Sequence, residues 1–238
     1  MMRFLINSYI IFILLIAGGG KVMPQGNSEQ KRFITSTASF FIPSSEIPGL
    51  ELAAMKGNGE AAFNLALHYD LALNDEYNGE YWELIGAENG NIISAHNIAV
   101  ALSYRNNYDI RGIYWFRVAA KHGVDSSIKN LNLLGISINF DIPDDSIFEQ
   151  MPDYLTIEEI KECEEGALKG SGIAALVLAN FYCKVERDNN KLEYWYRIGA
   201  QNGNKECQVF FGKILMAKND MLSQERGKFW LNRSHRVN

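Results

Sequence analysis

Pairs of small residues stand just before a glycine at five places along the chain, and these places are regularly spaced. The glycines are Gly57, Gly90, Gly123, Gly170 and Gly203. Three of the four intervals between them are 33 residues long, and in three units a tryptophan follows the glycine by 25 residues: Trp82, Trp115 and Trp195. A fixed period of this length is typical of stacked repeat proteins. The sequence therefore predicts an array in which each unit contacts chiefly its neighbours.

Each unit has the pattern of two helices joined by a short turn. In the first unit, Ala61, Leu65 and Tyr69 recur at the spacing of one helical face. Polar residues suited to turns and helix N-caps separate the two helices in three of the units: Asp75, Asp109 and Asp188. Glycine then ends the second helix, since it takes the left-handed conformation that closes a last turn. We expect an all-α fold in which small residues let helices approach closely and the tryptophans fill the grooves.

Composition limits the classes of function. The 238 residues are 47% hydrophobic and 21% charged, which is ordinary for a globular chain with a buried core. The net charge of −5 offers no general attraction to nucleic acid, which normally binds a basic face. We therefore expect no nucleic-acid partner.

The first twenty residues have the layout of a secretory signal. Met1, Met2 and Arg3 give a positive start, residues 4–17 are almost wholly apolar, and three glycines follow. The apolar run is shorter than the roughly 20 residues of a membrane span. We predict a signal peptide over residues 1–20, a polar linker over 21–43, and a periplasmic or secreted product whose only membrane contact is this signal. An uncleaved anchor and a buried terminal helix are the alternatives.

The three cysteines do not form a disulfide framework. Cys207 stands four residues after its glycine, where other units have alanine or serine, so we interpret it as a small packing residue. Cys163 and Cys183 lie at unequal distances from Gly170, so a hairpin would not place them level. We expect free thiols.

The third unit is longer than the others. Gly123 and Gly170 are 47 residues apart, and the excess contains Pro143, through which no helix should run. The second helix of this unit is expected to restart at Thr156, where Thr156 and Glu159 fit a capping box. An insertion of this kind should form a loop on one face of the array.

The insertion is strongly acidic. Residues 141–165 contain ten carboxylates and one lysine. One interpretation is a solvated loop and helix face, which is common for charge runs. The other is a patch that attracts a protein partner with a basic surface. Its candidate partner-binding residues are Asp141, Asp144, Asp145, Glu149 and Asp153.

The repeat pattern resembles the Sel1-like repeat family, which is related to the tetratricopeptide repeats. The resemblance rests on alanine, leucine-alanine and tyrosine at fixed spacing, followed by tryptophan and a small pair before glycine. Two units carry the full set: Ala61, Leu65, Ala66, Tyr69, Trp82, Gly86, Ala87 and Gly90, and then Ala174, Leu178, Ala179, Tyr182, Trp195, Gly199, Ala200 and Gly203. The match covers about residues 48–230, and alanine usually replaces the glycine that the family has in the first helix.

This resemblance implies an α-solenoid, a right-handed superhelix of antiparallel helix pairs over residues 44–238. Its units would span about 57–89, 90–122, 123–169, 170–202 and 203–238. Family members resemble adaptors for protein complexes, often in bacterial envelopes, and some resemble immunity proteins that neutralise secreted toxins. The resemblance therefore implies a protein partner and no cofactor.

The sequence contains no recognisable catalytic motif. His68, His96, His122 and His235 form no His-Glu-x-x-His run, and neither Cys-x-x-Cys nor a phosphate-binding glycine loop occurs. His68 and His96 lie in the first helices of adjacent units and could approach each other, but two histidines alone make a weak metal site. We predict a non-catalytic interaction scaffold with no catalytic, cofactor or metal residues. The alternatives are an immunity protein and a hydrolase acting on cell-wall material or an antibiotic.

Overall fold

Glycine ends a helix at each of the five predicted positions. In the computed structural model, the φ angle is positive at all of them: 107° at Gly57, 90° at Gly90, 83° at Gly123, 122° at Gly170 and 91° at Gly203. An L side chain is strained in this backbone conformation, whereas glycine adopts it freely. The prediction that these glycines stop helices is confirmed.

The structure describes residues 39–105, 109–138 and 144–236, without the side chains of Tyr104 and Arg105. Several sequence predictions fall outside these residues: the signal over 1–20, the linker as far as residue 38, Asp141 and Pro143. The helices all belong to one unit, Phe40–Asn238.

The described residues are helical and contain no strand, which confirms the all-α prediction for this part of the chain. Six α-helices precede the insertion: α1 (Ile47–Met55), α2 (Gly59–Leu67), α3 (Glu76–Glu88), α4 (Ile92–Arg105), α5 (Ile110–Lys121) and α6 (Asp125–Leu133). Six follow: α7 (Asp145–Glu149), α8 (Ile157–Lys169), α9 (Gly172–Phe181), α10 (Asn189–Gln201), α11 (Lys205–Met216) and α12 (Met221–Ser234). Single π-helical turns extend α2 and α9: His68–Ala72 and Tyr182–Glu186. In the described ranges, no helix has both the length and the apolar character needed to cross a membrane.

The helices begin at the predicted caps. The Asp109 carboxylate accepts the Arg111 N–H at 2.7 Å, and Asp75 and Asp188 accept equivalent bonds at the starts of α3 and α10. Thr156 and Glu159 form the predicted capping box at the start of α8. The caps could be predicted from the sequence because a cap depends on residues within one turn of each other.

Small residues lie where consecutive units come closest. A Cβ atom added at Gly86 would lie 2.8 Å from the Cβ of Ser94, and one added at Gly199 would lie 2.8 Å from the Cβ of Cys207. Each glycine belongs to the second helix of one unit, and its neighbour belongs to the first helix of the next. The predicted role of the small residues, which is to let helices approach closely, is therefore confirmed at these contacts.

The insertion is more than a surface loop. Part of it forms α7, and Phe148 on this helix is only 2% exposed and belongs to the hydrophobic core around α8–α11. A Cβ atom at Gly166 would lie 2.5 Å from the Phe148 ring. The expectation of a loop on one face is therefore corrected: part of the insertion is a helix packed on the core. Burial of the Phe148 ring away from water lowers the free energy of the fold.

The helices pack in chain order, and the two ends of the series also meet. Each helix contacts the next along α1–α6 and α8–α12, while α5 packs against α8 and α12 packs against α1. At the second of these junctions, Lys56 and Glu225 form an ion pair of 3.9 Å, and the Phe229 ring lies against Gly57. The first and last helices of the described residues, α1 and α12, are therefore in direct contact.

The series consists of two similar halves, residues 47–121 (α1–α5) and residues 157–234 (α8–α12). Equivalent residues are 113 positions apart, as for Gly57 and Gly170 or for Trp82 and Trp195. The offset becomes 115 between Trp115 and Trp230, because Trp230 follows Gly203 by 27 residues and Trp115 follows Gly90 by 25. Trp230 is fully buried despite this shift. Contacts α5–α8 and α12–α1 are then equivalent, so the halves join through two related interfaces.

Candidate functional site

A cluster of charged side chains joins the two halves, and we name it the central cluster. It surrounds Glu88, whose side chain is 1% exposed. Arg226 Nη2 donates to Glu88 Oε2 at 2.7 Å, and Arg197 Nε donates to Oε1 at 2.8 Å. Gln201 Nε2 also donates to Oε1, at 2.6 Å, and Arg233 Nη1 donates to the Glu88 main-chain oxygen at 2.5 Å. The Glu88 carboxylate thus binds three side chains of the C-terminal half, and its main-chain oxygen binds a fourth.

Glu88 stays ionised in this environment. Burial alone would raise its pKa, but the positive charges of Arg197 and Arg226 and their hydrogen bonds hold the pKa at about 2. A carboxyl group with so low a pKa does not exchange protons near neutral pH. The central cluster is therefore suited to holding helices together and unsuited to general acid–base chemistry.

The two junctions use the same residue pattern. Arg226 binds the consecutive residues Glu88 and Asn89, and Arg111 binds the equivalent pair, Gln201 at 2.6 Å and Asn202 at 2.8 Å. Each guanidinium group also stacks on the aromatic residue three positions later, Tyr114 or Phe229. Neither arginine was among the residues that the sequence pattern pointed to. Their signal is the shared order Arg-Gly-x-aromatic-Trp at 111–115 and 226–230.

The asparagine of each pair also links successive second helices. Asn89 Nδ2 donates to the Ala54 oxygen and Asn202 Nδ2 donates to the Ala167 oxygen, each at 2.8 Å. The two acceptors precede Gly57 and Gly170 by three residues. These amides therefore give a second hydrogen bond to main-chain oxygens near the C-terminal ends of α1 and α8, which also accept the N–H groups of Gly57 and Gly170.

A cavity of about 280 Å³, here called the seam cavity, lies beside the junction of α12 with α1. Its walls combine aromatic, acidic and apolar side chains with one arginine: Glu51, Met55, Tyr69, Asn78, Tyr81, Trp82, Leu215, Asp220, Leu222, Ser223 and Arg226. The arginine is already paired with Glu88, so the unpaired charges on the wall are the two carboxylates. The wall is chemically suited to a cation with an apolar stem.

Glu51 is the carboxylate of this wall that has no role in the fold. Asp220 is the N-cap of α12 and accepts the Ser223 N–H at 2.7 Å. Within the described residues, the Glu51 side chain has no hydrogen bond or ion pair, and partial burial raises its pKa. Its charge also raises the pKa of the Tyr69 hydroxyl, after the larger effect of burial. Glu51 is therefore available to a ligand.

The histidines have separate structural partners. His68 is buried, and its Nδ1 accepts the Ile42 N–H at 3.1 Å. His96 is also buried, with Nδ1 at 2.7 Å from Ser127 Oγ, and burial lowers its pKa to about 4. Within the described residues, no three His, Cys, Asp or Glu side chains are arranged to hold a metal ion. The partner of His96 lies in the next unit and the partner of His68 precedes the first unit, so each ring joins two segments of the fold.

Glu83 is a buried carboxyl group that the sequence analysis did not single out. Asn97 Nδ2 donates to its Oε1 at 2.7 Å, and burial raises its pKa to about 7 against the opposing effect of this hydrogen bond. The equivalent residues of the C-terminal half are Tyr196 and Phe210, whose rings stack at 5.1 Å. The N-terminal half thus has a polar pair, Glu83 and Asn97, where the C-terminal half has two aromatic rings. With a pKa of about 7, Glu83 titrates in the neutral range.

The acidic insertion residues that the structure describes have mostly local contacts. Asp144 is the N-cap of α7, Asp145 accepts a hydrogen bond from Ser171 Oγ at 2.5 Å, and Asp153 pairs with Lys184 at 2.8 Å. Glu149 is exposed, and Asp141 lies outside the described residues. The structure therefore gives three of these five candidate residues a part in the fold.

The cysteines are free thiols, two buried and one exposed. Cys163 and Cys207 are inside the core, and Cys183 is on the surface. Cys207 packs against Gly199, which confirms its interpretation as a packing residue. Burial raises the pKa of both buried thiols, to about 12 for Cys163, where neighbouring carboxylates contribute. Neither buried cysteine is a reactive thiolate at neutral pH.

Comparison with known proteins identifies no family for this chain. Neither protein-family models, nor curated proteins, nor solved structures gave a match. The likeness to Sel1-like repeats consequently remains a resemblance carried by the sequence motifs.

Proposed function

We propose that this protein is a non-catalytic interaction scaffold of the bacterial envelope, an α-solenoid of Sel1-like repeats that binds a protein partner. The observation that carries the proposal is that polar residues of the repeat join helices to one another. Glu88, Arg111 and Arg226 are all engaged in joining helices of the two halves. Rigid helical frameworks of this kind present surfaces for binding.

The central cluster affects where a partner can bind. A groove between stacked helix pairs is the usual binding surface of a solenoid, but here Glu88 and Arg226 fill the space where the halves meet with their own ion pair. Binding then falls on surfaces that remain open. The seam cavity is one of these, since it combines concave shape with aromatic and acidic walls.

Exposed apolar side chains lie next to the seam cavity in the chain. Tyr77 precedes the lining residue Asn78 and is 81% exposed, and Met221 lies between the lining residues Asp220 and Leu222 and is 62% exposed. Tyr81 on the wall is 41% exposed. Aromatic and methionine side chains are enriched in protein interfaces, so these residues fit the border of a binding site.

Site-specific crosslinking in the native host tests this function. A photoreactive residue is placed at Tyr77, and captured proteins are identified by mass spectrometry. The control position is Leu133 on α6, which is 84% exposed and therefore equally accessible. We expect one protein to be captured from position 77 and not from position 133. Recovery of nothing above background at position 77, or of the same proteins from both positions, would contradict the proposal.

The envelope location rests on the predicted signal in residues 1–20. Cell fractionation tests it separately from partner binding. We expect the mature chain in the periplasmic or secreted fraction, shorter than the translated product by about the length of the signal. A full-length product in the cytoplasmic fraction would contradict the location and leave the binding proposal to be decided by crosslinking.

A further inference from the structure

The two halves differ in charge at one position on the wall of the seam cavity. Asn78 on the cavity wall is equivalent to Lys191 in the C-terminal half, and Tyr69 is equivalent to Tyr182. Lys191 Nζ lies 4.6 Å from the centre of the Tyr182 ring. An ammonium group at this distance from a tyrosine face makes a favourable cation–π contact. The C-terminal half therefore supplies its own cation.

The N-terminal half has the equivalent tyrosine without the cation. Asn78 is uncharged, and its Nδ2 donates to Asp75 Oδ2 at 2.7 Å. Tyr182 is 4% exposed, whereas Tyr69 is half-buried and lines the seam cavity. Replacing the lysine by the shorter asparagine thus coincides with an open cavity beside the tyrosine ring.

The acidic residue of the wall provides the countercharge. Glu51 on α1 lines the cavity and, among the described residues, has no ionic partner. Tyr81 and Trp82 add aromatic surface beside it. A carboxylate together with aromatic rings is the combination that recognises ammonium groups, and the apolar side chains Met55 and Leu222 suit a methylene stem.

We propose that the seam cavity binds the side chain of a lysine presented by the partner protein, in the position that Lys191 occupies in the other half. The exposed residues Tyr77 and Met221 would contact the partner's surface around this lysine. The proposal deepens the scaffold function and rests on it for the source of the lysine.

Binding of a lysine derivative to the full chain tests the site. The probe is Nα-acetyl-lysine methylamide, and the matched control probe is the norleucine compound, which lacks the charge. Binding is followed through the indole N–H signal of Trp82 in two-dimensional NMR, with Trp195 as the internal reference because it is the equivalent residue beside Lys191. We expect the lysine probe to shift the Trp82 signal saturably and the norleucine probe to leave it unchanged. Equal shifts with both probes would overturn the proposal.

Two reciprocal variants sharpen the test. Asn78→Lys supplies the missing internal cation, so we expect the lysine probe to bind roughly tenfold more weakly. The backbone contact at this position tolerates lysine, since Lys191 N–H donates to Asp188 just as Asn78 N–H donates to Asp75. Lys191→Asn opens the second half, so we expect the Trp195 signal to respond as well. Unchanged affinity for the lysine probe in a folded Asn78→Lys variant would overturn the proposal. Should that variant not fold, Glu51→Gln removes the countercharge, and unchanged affinity in that variant would overturn the proposal as well.

Failure of this site and failure of the scaffold function give different results. Should the probe bind while crosslinking at position 77 captures no protein, the lysine site holds and the scaffold function is wrong. Should a partner be captured equally by the wild type and by Asn78→Lys, the scaffold function holds and the lysine site is wrong.

Discussion

Glu88 and Gln201 occupy equivalent positions in the two halves of the chain, 113 residues apart, and their side chains bind each other. Gln201 Nε2 donates to Glu88 Oε1 at 2.6 Å. The pair therefore lies where the two halves of the chain meet. The difference between them, a carboxylate on one side and an amide on the other, leaves one negative charge for the surrounding arginines.

Removing this charge should destabilise the fold. In Glu88→Gln, the buried Arg226 loses its ionic partner and Arg197 loses one of its bonds. We expect the free energy of unfolding to fall by about 3 kcal/mol, the usual cost of leaving a buried charge unpaired. Urea denaturation measures the change. The control is Glu165→Gln, which affects an exposed pair with Lys169 and should cost less than about 0.5 kcal/mol. Equal effects in the two variants would contradict a structural role for Glu88.

Glu83 should make stability depend on pH in the neutral range. Burial raises its pKa from 4.5 to about 7, so the fold favours the protonated form. The stability that this proton contributes is fully present below pH 4.5 and is lost as the pH rises to 7 and above. Glu83→Gln removes the titrating group, so we expect it to gain roughly 3 kcal/mol relative to the wild type between pH 4.5 and pH 8.

Chemical denaturation at several pH values checks this dependence. The exposed Glu149→Gln variant is the control and should follow the wild-type profile. A constant difference between Glu83→Gln and the wild type across the range would show that Glu83 does not titrate there.

The close contact between α10 and α11 should be sensitive to one methyl group. In Gly199→Ala, the new Cβ would lie 2.8 Å from the Cβ of Cys207, so we expect a loss of about 1–3 kcal/mol from overpacking. Gly49→Ala on α1 is the matched control, because no atom lies within 4 Å of its added Cβ. Alanine there should stabilise the helix by up to about 1 kcal/mol. Thermal melting distinguishes the two outcomes, and a stabilised Gly199→Ala variant would contradict the packing argument.

The three cysteines should differ in reactivity. Cys183 is exposed, whereas Cys163 and Cys207 are buried with raised pKa values. We expect a maleimide to modify Cys183 alone in the folded protein at neutral pH and all three thiols in urea. Peptide mapping by mass spectrometry identifies the modified residues. Rapid modification of Cys207 without denaturant would mean that the contact between α10 and α11 opens readily.

Local features of the fold could be predicted from the sequence because their causes lie within a few residues. The left-handed conformation at Gly90 closes α3, which ends just before this glycine. The capping box of Thr156 and Glu159 starts α8. Helix ends, turns and the repeat period belong to this category. Asp109 was identified as a cap for the same reason, since its partner is the N–H of Arg111.

The candidate site could not be predicted in the same way. Whether an acidic run is solvated or paired depends on the surface that it faces, and Asp145 meets Ser171 only because α7 folds onto α9. Phe148 likewise carries no local signal that would separate a core aromatic from an exposed one. The 113-residue offset and the two Arg-Gly-x-aromatic-Trp segments were present in the sequence, but their meaning depends on which helices meet.

The sequence by itself determined that this protein is helical, where its helices start and stop, and which small residues separate them, because backbone conformation and capping are decided over single turns. Only the tertiary structure decided that α12 returns to α1 and that Glu88 pairs with Arg226, 138 residues away. It also decided that Asn78 borders a cavity, whereas the equivalent residue Lys191 covers a tyrosine ring in the other half. The physical reason is that such contacts depend on how helix pairs stack over the whole series, and burial then sets the strength of each charge and ring contact.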